Sequence, residues 1–99
     1  MYKGTTPTFI FTFSDFDPTT AEQIIVTFSN GLEIMSGSEN MEVTTNRISL
    51  WLDQTQTLAM PNGNVNVQIN FLLADGNRVA TNVQTLVWSK NLHNEVMQT

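Results

Sequence analysis

The chain contains no cysteine. Disulfides, thiolate metal sites and cysteine nucleophiles are therefore all excluded. The one histidine, His93, sits in a polar C-terminal stretch, where a rigid catalytic arrangement is least expected. An exposed tail residue is the reading its neighbours favour. A hydrolase needs a nucleophile, a base and a group that orients the base, and no such set is visible. One histidine without cysteine also removes nearly all zinc patterns, which rely on closely spaced ligands. Charge is scarce as well: 13% of the 99 residues are charged, about half the usual share. Lys3, Arg47, Arg78 and Lys90 are the only cations, and the net charge is −5. Scattered along the chain, they form no basic stripe to neutralise phosphates and no polybasic anchor for a membrane surface. No apolar run approaches the ~20 residues of a membrane-spanning helix. Met1 to Pro7 lacks the apolar segment of a signal peptide. The expectation is a soluble protein made in a cytoplasm, with neither nucleic acid nor membrane as a partner.

What is present is alternation. Val65, Val67, Ile69, Phe71 and Leu73 are apolar at every second position, with Asn64, Asn66, Gln68 and Asn70 between them. A period of two places the apolar side chains on one face of a strand and the amides on the other. Asp75-Gly76 interrupts the pattern, and a second β-like run extends from Arg78 to Trp88. Asp-Gly between two such runs predicts a hairpin with a type I′ turn, in which both central residues take positive φ. This long hairpin is expected to organise the remaining strands. Apolar residues make up 40% of the chain, gathered in periodic runs as in a folded domain. One domain over residues 1–99 is expected at this length.

Thr5 to Ser14 alternates too, with Phe9, Phe11 and Phe13 on one face and Thr8, Ile10 and Thr12 on the other. Pro7 belongs at the start of that strand or on an edge. Ser14 to Thr20 is a break, with Thr19 or Thr20 as a cap for one helical turn through Gln23. Ile24 to Ser29 is a strand, Asn30-Gly31 a second hairpin turn, and Leu32 to Met35 the return. Met41 to Thr44 is a short strand. Ile48, Leu50 and Leu52 form the inward face of another, which turns Trp51 outward, to pack under a neighbouring loop or to join an interface. Asp53 is the best helix start, with Gln56 placed as in a capping box and Pro61-Asn62-Gly63 closing the segment. Leu86, Val87 and Trp88 make both faces apolar at the end of the second hairpin arm, as in a strand covered on both sides or ending in an interface. Residues 1–7 are expected as a flexible arm and 89–99 as a tail, in which Leu92 and Val96 allow a short amphipathic helix. Short strands at regular spacing predict an all-β domain, an Ig-like antiparallel β-sandwich of about seven strands, with a small β-barrel as the alternative.

Three chemical readings compete with plainer ones. Asp15 and Asp17 allow a calcium site, but no fuller ligand pattern lies beyond them, and an ordinary Asx-turn is favoured. Asp15 with Asp17, or Glu39 with Glu42, fall on turns as solvated loop acids and not as a carboxylate pair in a cleft. Trp51, Trp88 or Tyr2 can stack on a sugar ring, with Asn and Gln as hydrogen-bond partners; packing in a core or an interface is favoured. No catalytic residue, cofactor or metal ligand is assigned.

Several stretches carry a resemblance. They are Lys3-Gly4-Thr5-Thr6-Pro7-Thr8-Phe9, Ile24-Ile25-Val26-Thr27-Phe28 and Leu52-Asp53-Gln54-Thr55-Gln56-Thr57-Leu58, then Val67-Gln68-Ile69-Asn70-Phe71 with Asp75-Gly76-Asn77-Arg78, and Ser89-Lys90-Asn91-Leu92. Together they resemble small proteins encoded by phages and prophages of gut Firmicutes. The order of elements is similar to the N-terminal Ig-like domain of phage baseplate upper proteins. The resemblance implies a β-sandwich structural component of a virion, in its tail, baseplate or head, with no catalytic residues to carry over. It implies other virion proteins as partners, a homo-oligomer or multi-copy assembly, and location in the virion after assembly in the host cytoplasm. Contact residues are then expected at Tyr2, Trp51, Trp88, Leu92, Val96 and Met97. The rival reading is a β-sandwich module that binds carbohydrate or a host surface.

Overall fold

The structure is a computed structural model that describes residues 1–98. In chain order the strands are β1 (Thr8–Thr12), β2 (Ala21–Phe28), β3 (Glu33–Met35), β4 (Met41–Thr44), β5 (Arg47–Trp51), β6 (Gly63–Leu73), β7 (Arg78–Ala80) and β8 (Gln84–Trp88). One helix, α1 (Gln54–Leu58), lies between β5 and β6. A three-stranded sheet has the order β1-β5-β4. A five-stranded sheet has the order β3-β2-β6, with both β7 and β8 on the far side of β6. All pairings between these strands are antiparallel. Among the described residues no strand of one sheet pairs with the other. The fold is thus an antiparallel β-sandwich and not a closed barrel.

Alternation in β2 and β6 builds the core. In register, Ile24 lies opposite Phe71, Val26 opposite Ile69 and Phe28 opposite Val67, and all six are buried. Met41, Ile48 and Leu50 face them from the smaller sheet. Each such side chain contributes roughly 1.5–3 kcal/mol by leaving water. Phe9, Phe11 and Phe13 pack on this core only partly buried. Phe13, Phe16 and Phe71 meet edge to face, with ring centroids 4.8 to 6.2 Å apart, and close one end of the sandwich.

The two hairpin turns share one geometry, which differs from the expected type I′. Among the described residues only glycines have positive φ, so Asp75 and Asn30 do not. Gly76 N donates to Leu73 O and Leu73 N to Asn77 O; Gly31 N donates to Phe28 O and Phe28 N to Leu32 O. This is the three-residue loop, a type I turn followed by a glycine bulge. Asp75 Oδ1 accepts from Asn77 N at 2.9 Å, which holds the turn.

The second arm of the long hairpin is not one strand. β7 pairs Ala80 with Asn70, whereas β8 pairs Gln84 with Val67. One more residue lies on the outer arm than on β6 over this interval, so Thr81 to Val83 form a bulge. The extra residue reverses the facing of β8 relative to β7. Val79 shares the face of Phe71, while Leu86 and Trp88 share the face of Val65. The break brings the described strands to eight, in keeping with the expected sandwich of about seven.

The capping box of α1 forms as its residues predict. Asp53 Oδ1 accepts from Gln56 N at 2.8 Å, and Gln56 Oε1 accepts from Asp53 N at 2.9 Å. The turn expected from Thr19 or Thr20 is shorter and differently capped. It is a 3-10 turn over Pro18–Thr20, and Asp17 Oδ1 accepts from Thr19 N and Thr19 Oγ1.

Residues 1–7, expected as an arm, are tied down along their length. Ser89 N donates to Met1 O and Lys3 N to Ser89 O, so this segment runs parallel beside the end of β8. Thr57 Oγ1 donates to Thr5 O at 2.7 Å, and Leu52 N donates to Pro7 O. The C-terminal stretch contains no helix over its described residues. It returns instead to α1, where Gln54 Nε2 donates to Met97 O and Gln54 Oε1 accepts from Met97 N. The side-chain amide thereby copies the pairing of a neighbouring strand.

Candidate functional site

Among the described residues no group of three or more His, Cys, Asp or Glu side chains stands close enough to hold a metal ion. No described helix is long and apolar enough to cross a membrane. Exposed contact candidates fall on three parts of the sandwich.

The first is the outer face of the smaller sheet. Leu50 and Ile48 point inward, so Trp51 and Ser49 point outward, as the alternation predicts. Trp51 is 38% exposed. It lies opposite Thr8 on β1, and its backbone is held from the other side, where Trp51 N donates to Asn40 O and Asn40 Nδ2 donates to Trp51 O. Ile10 lies opposite Ser49, diagonal to Trp51, and is 58% exposed. Diagonal neighbours on one face are within reach of an aromatic side chain. Ile10 was not singled out by sequence, because it stood among threonines on the polar face. Its being the one aliphatic residue there was the available signal.

The second is the seam between β1 and the larger sheet. Among the described residues β1 is an edge strand that pairs with β5 alone. Beside it lie two hollows of about 170 and 100 Å³, rimmed by Phe9, Phe11, Val67, Gln84 and Leu86. Core-facing side chains thus border solvent along this edge.

The third is the end of the sandwich where α1, the N-terminal segment and the tail converge. Tyr2, Leu92, Val96 and Met97 are all exposed there or along the adjoining tail, Leu92 at 97%. Backbone bonds position Tyr2 beside Ser89, and Gln54 positions Met97. Leu92 and Val96 are not drawn into an amphipathic face. Lys3 and Lys90, distant in sequence, line one polar hollow of about 300 Å³ with Asn62, Asn91 and Asn94. Two of the four cations expected to be scattered are thus brought together.

Trp88 is placed otherwise than its position among the contact candidates requires. It is 1% exposed, opposite Gly63 in register, and belongs to the core. Its surface is already spent inside the chain, so it has none to offer a partner. The outward apolar residue of this stretch is Val87, 56% exposed. The apolar run Leu86-Val87-Trp88 did not reveal which side faced inward, because the bulge upstream sets the facing.

The outer face of the larger sheet adds a groove of about 220 Å³ bordered by Ile25, Glu33, Asn70, Leu72 and Arg78. Arg78 Nε donates to Asn70 Oδ1 and Thr27 Oγ1 donates to Glu33 Oε2, so its polar groups are engaged with each other. Comparisons with protein-family models, curated proteins and solved structures found no match to this chain.

Proposed function

We propose that this chain is a non-enzymatic structural component of a phage particle, acting through protein–protein contacts in a tail, baseplate or head. The reading rests on the resemblance of its sequence stretches to phage and prophage proteins. The observation that carries it physically is the pairing of a rigid sandwich with apolar side chains left uncovered on edges and ends. Ile10, Leu92 and Met97 are more than half exposed. Exposed apolar groups bordered by polar residues are what an assembling surface presents before its neighbour arrives. The partners are other virion proteins, and the location is the virion after assembly in the host cytoplasm.

The test is mass spectrometry of particles purified by density gradient and washed in high salt. Retention of the chain in several copies per particle supports the role. Its loss into the soluble fraction overturns it. A second reading, a module that binds carbohydrate or a host surface, draws on Trp51, an aromatic side chain exposed on a flat sheet face. Quenching or a shift of tryptophan emission by a glycan from a panel, lost in Trp51→Ala, would favour that module.

A further inference from the structure

We propose that β1 is a dimerisation strand, pairing antiparallel across a two-fold axis with β1 of a second copy of this chain. The pairing stands on β1 alone and does not require the virion role.

The direction of the free backbone groups is fixed by the register. Phe13 N donates to Asn46 O and Leu52 N donates to Pro7 O. In an antiparallel ladder, residues whose groups face the neighbour alternate with residues whose groups face away. Phe9 and Phe11 therefore spend their N–H and C=O on β5. Those of Thr8, Ile10 and Thr12 point to the open side.

Among the described edges, β1 is the unguarded one. β3 is only three residues long and begins with Glu33. β4 carries Glu42, and β7 begins with Arg78. The end of β8 is covered by Met1 to Lys3. Charge, shortness and coverage are the usual means of stopping one sheet edge from joining another. β1 has no charge, no proline and no register shift within it.

The sequence of β1 also fits itself. Thr8-Phe9-Ile10-Phe11-Thr12 reads the same in both directions. An isologous contact sets one residue of a patch against its counterpart on the copy. Centred on Ile10, the antiparallel pairing sets Thr8 against the copy's Thr12, Phe9 against its Phe11, and Ile10 against Ile10. Every free N–H and C=O of the strand then meets its complement, in about six hydrogen bonds between the chains. The two phenylalanine pairs fall on the inner face, beside the hollows that Phe9 and Phe11 now rim. Ile10 and its counterpart fall on the outer face between the two Trp51 side chains. The two smaller sheets become one sheet of six strands.

Light scattering across a concentration series is the test, on the full chain and on Ile10→Lys. The lysine side chain points to solvent in the monomer, so the fold is kept, but in the dimer it sets two charges opposite each other. The expected result is a mass that doubles with rising concentration in the original chain and stays at the monomer value in Ile10→Lys, with the same thermal midpoint for both at concentrations where the original chain is still monomeric. The absence of cysteine allows the register to be read separately. Under mild oxidation Ile10→Cys should form a disulfide-linked dimer. Thr8→Cys should do so only when mixed with Thr12→Cys. An original chain that stays monomeric overturns the pairing, as does a dimer that survives Ile10→Lys. Thr8→Cys linking to itself as readily as Ile10→Cys overturns the register. None of these failures touches the particle-retention test of the virion role, which is read independently.

Discussion

Thr81 meets Ile69 twice, once through its backbone and once through its side chain. Thr81 N donates to Ile69 O at 2.9 Å, and Thr81 Oγ1 accepts from Ile69 N at 3.1 Å. The carbonyl that a regular ladder would offer Ile69 is instead taken by Gln68 Nε2 at 3.0 Å. A hydroxyl thus stands in for a carbonyl at the bulge, and the strand crosses it without leaving a buried N–H unpaired. Thr81→Val keeps the shape and removes the acceptor. It should destabilise the protein by about 1–3 kcal/mol, the cost of orphaning a buried donor. The neighbouring Asn82→Ala should change stability by less than about 0.5 kcal/mol. Urea unfolding followed by circular dichroism separates the two.

That bulge also marks where the sequence stopped being informative. The inward faces of β5 and β6 were readable because a period of two has one interpretation when one face is wholly apolar. The cap at Asp53 was readable because its chemistry is local. The outer arm after Gly76 keeps strand-forming residues on either side of Thr81 and ends apolar on both faces, and nothing in its residues announces the extra one. The facing of Leu86, Val87 and Trp88 is set by that insertion, which is why Trp88 read as a contact residue and is a core residue. The N-terminal segment was illegible for a different reason. Its ties to Ser89, Leu52 and Thr57 are long-range and mostly through backbone, and backbone partners leave no pattern in side chains.

Asp53 and Thr57 fasten α1 at both of its jobs, starting the helix and holding the N-terminal segment. Asp53→Ala removes one half of the capping box and should cost about 1 kcal/mol. Thr57 is fully buried, and its hydroxyl bonds Thr5 O and Gln54 O. Thr57→Val should cost about 1–3 kcal/mol and loosen residues 1–7 as well. Hydrogen exchange read by NMR should show faster exchange at Lys3 in Thr57→Val. In Asp53→Ala the change should be confined to Gln56 and its neighbours.

The two hairpin turns should answer to backbone conformation alone. Gly31 and Gly76 have φ of 100° and 87°, and a Cβ built at either meets nothing within 4 Å. Alanine at either position then suffers the left-handed conformation without any clash, at about 1–2 kcal/mol. Asparagine visits that region more readily and should cost less than alanine at both sites. Thermal melts of the four single variants test this ordering. Equal losses for alanine and asparagine would mean that the turn had moved to another geometry.

The two tryptophans should behave as two separate reporters, and this bears on the choice between functions. Trp88 is enclosed, and its indole N–H has no hydrogen-bond partner among the described residues. Its emission should be blue-shifted and resistant to iodide. Trp51 is exposed on the outer face of the smaller sheet, beside the diagonal Ile10. Its emission should be red-shifted and readily quenched. Trp51→Phe should therefore remove most of the iodide-sensitive signal, and Trp88→Phe should leave it. Dimerisation through β1 continues the outer face past Ile10 with the copy's strand, hems in the side of Trp51 that faces β1, and should reduce iodide quenching as concentration rises. That protection should vanish in Ile10→Lys. A sugar-binding face would instead show protection that depends on added glycan and is indifferent to protein concentration. Quenching that stays constant under both conditions would leave Trp51 outside either contact.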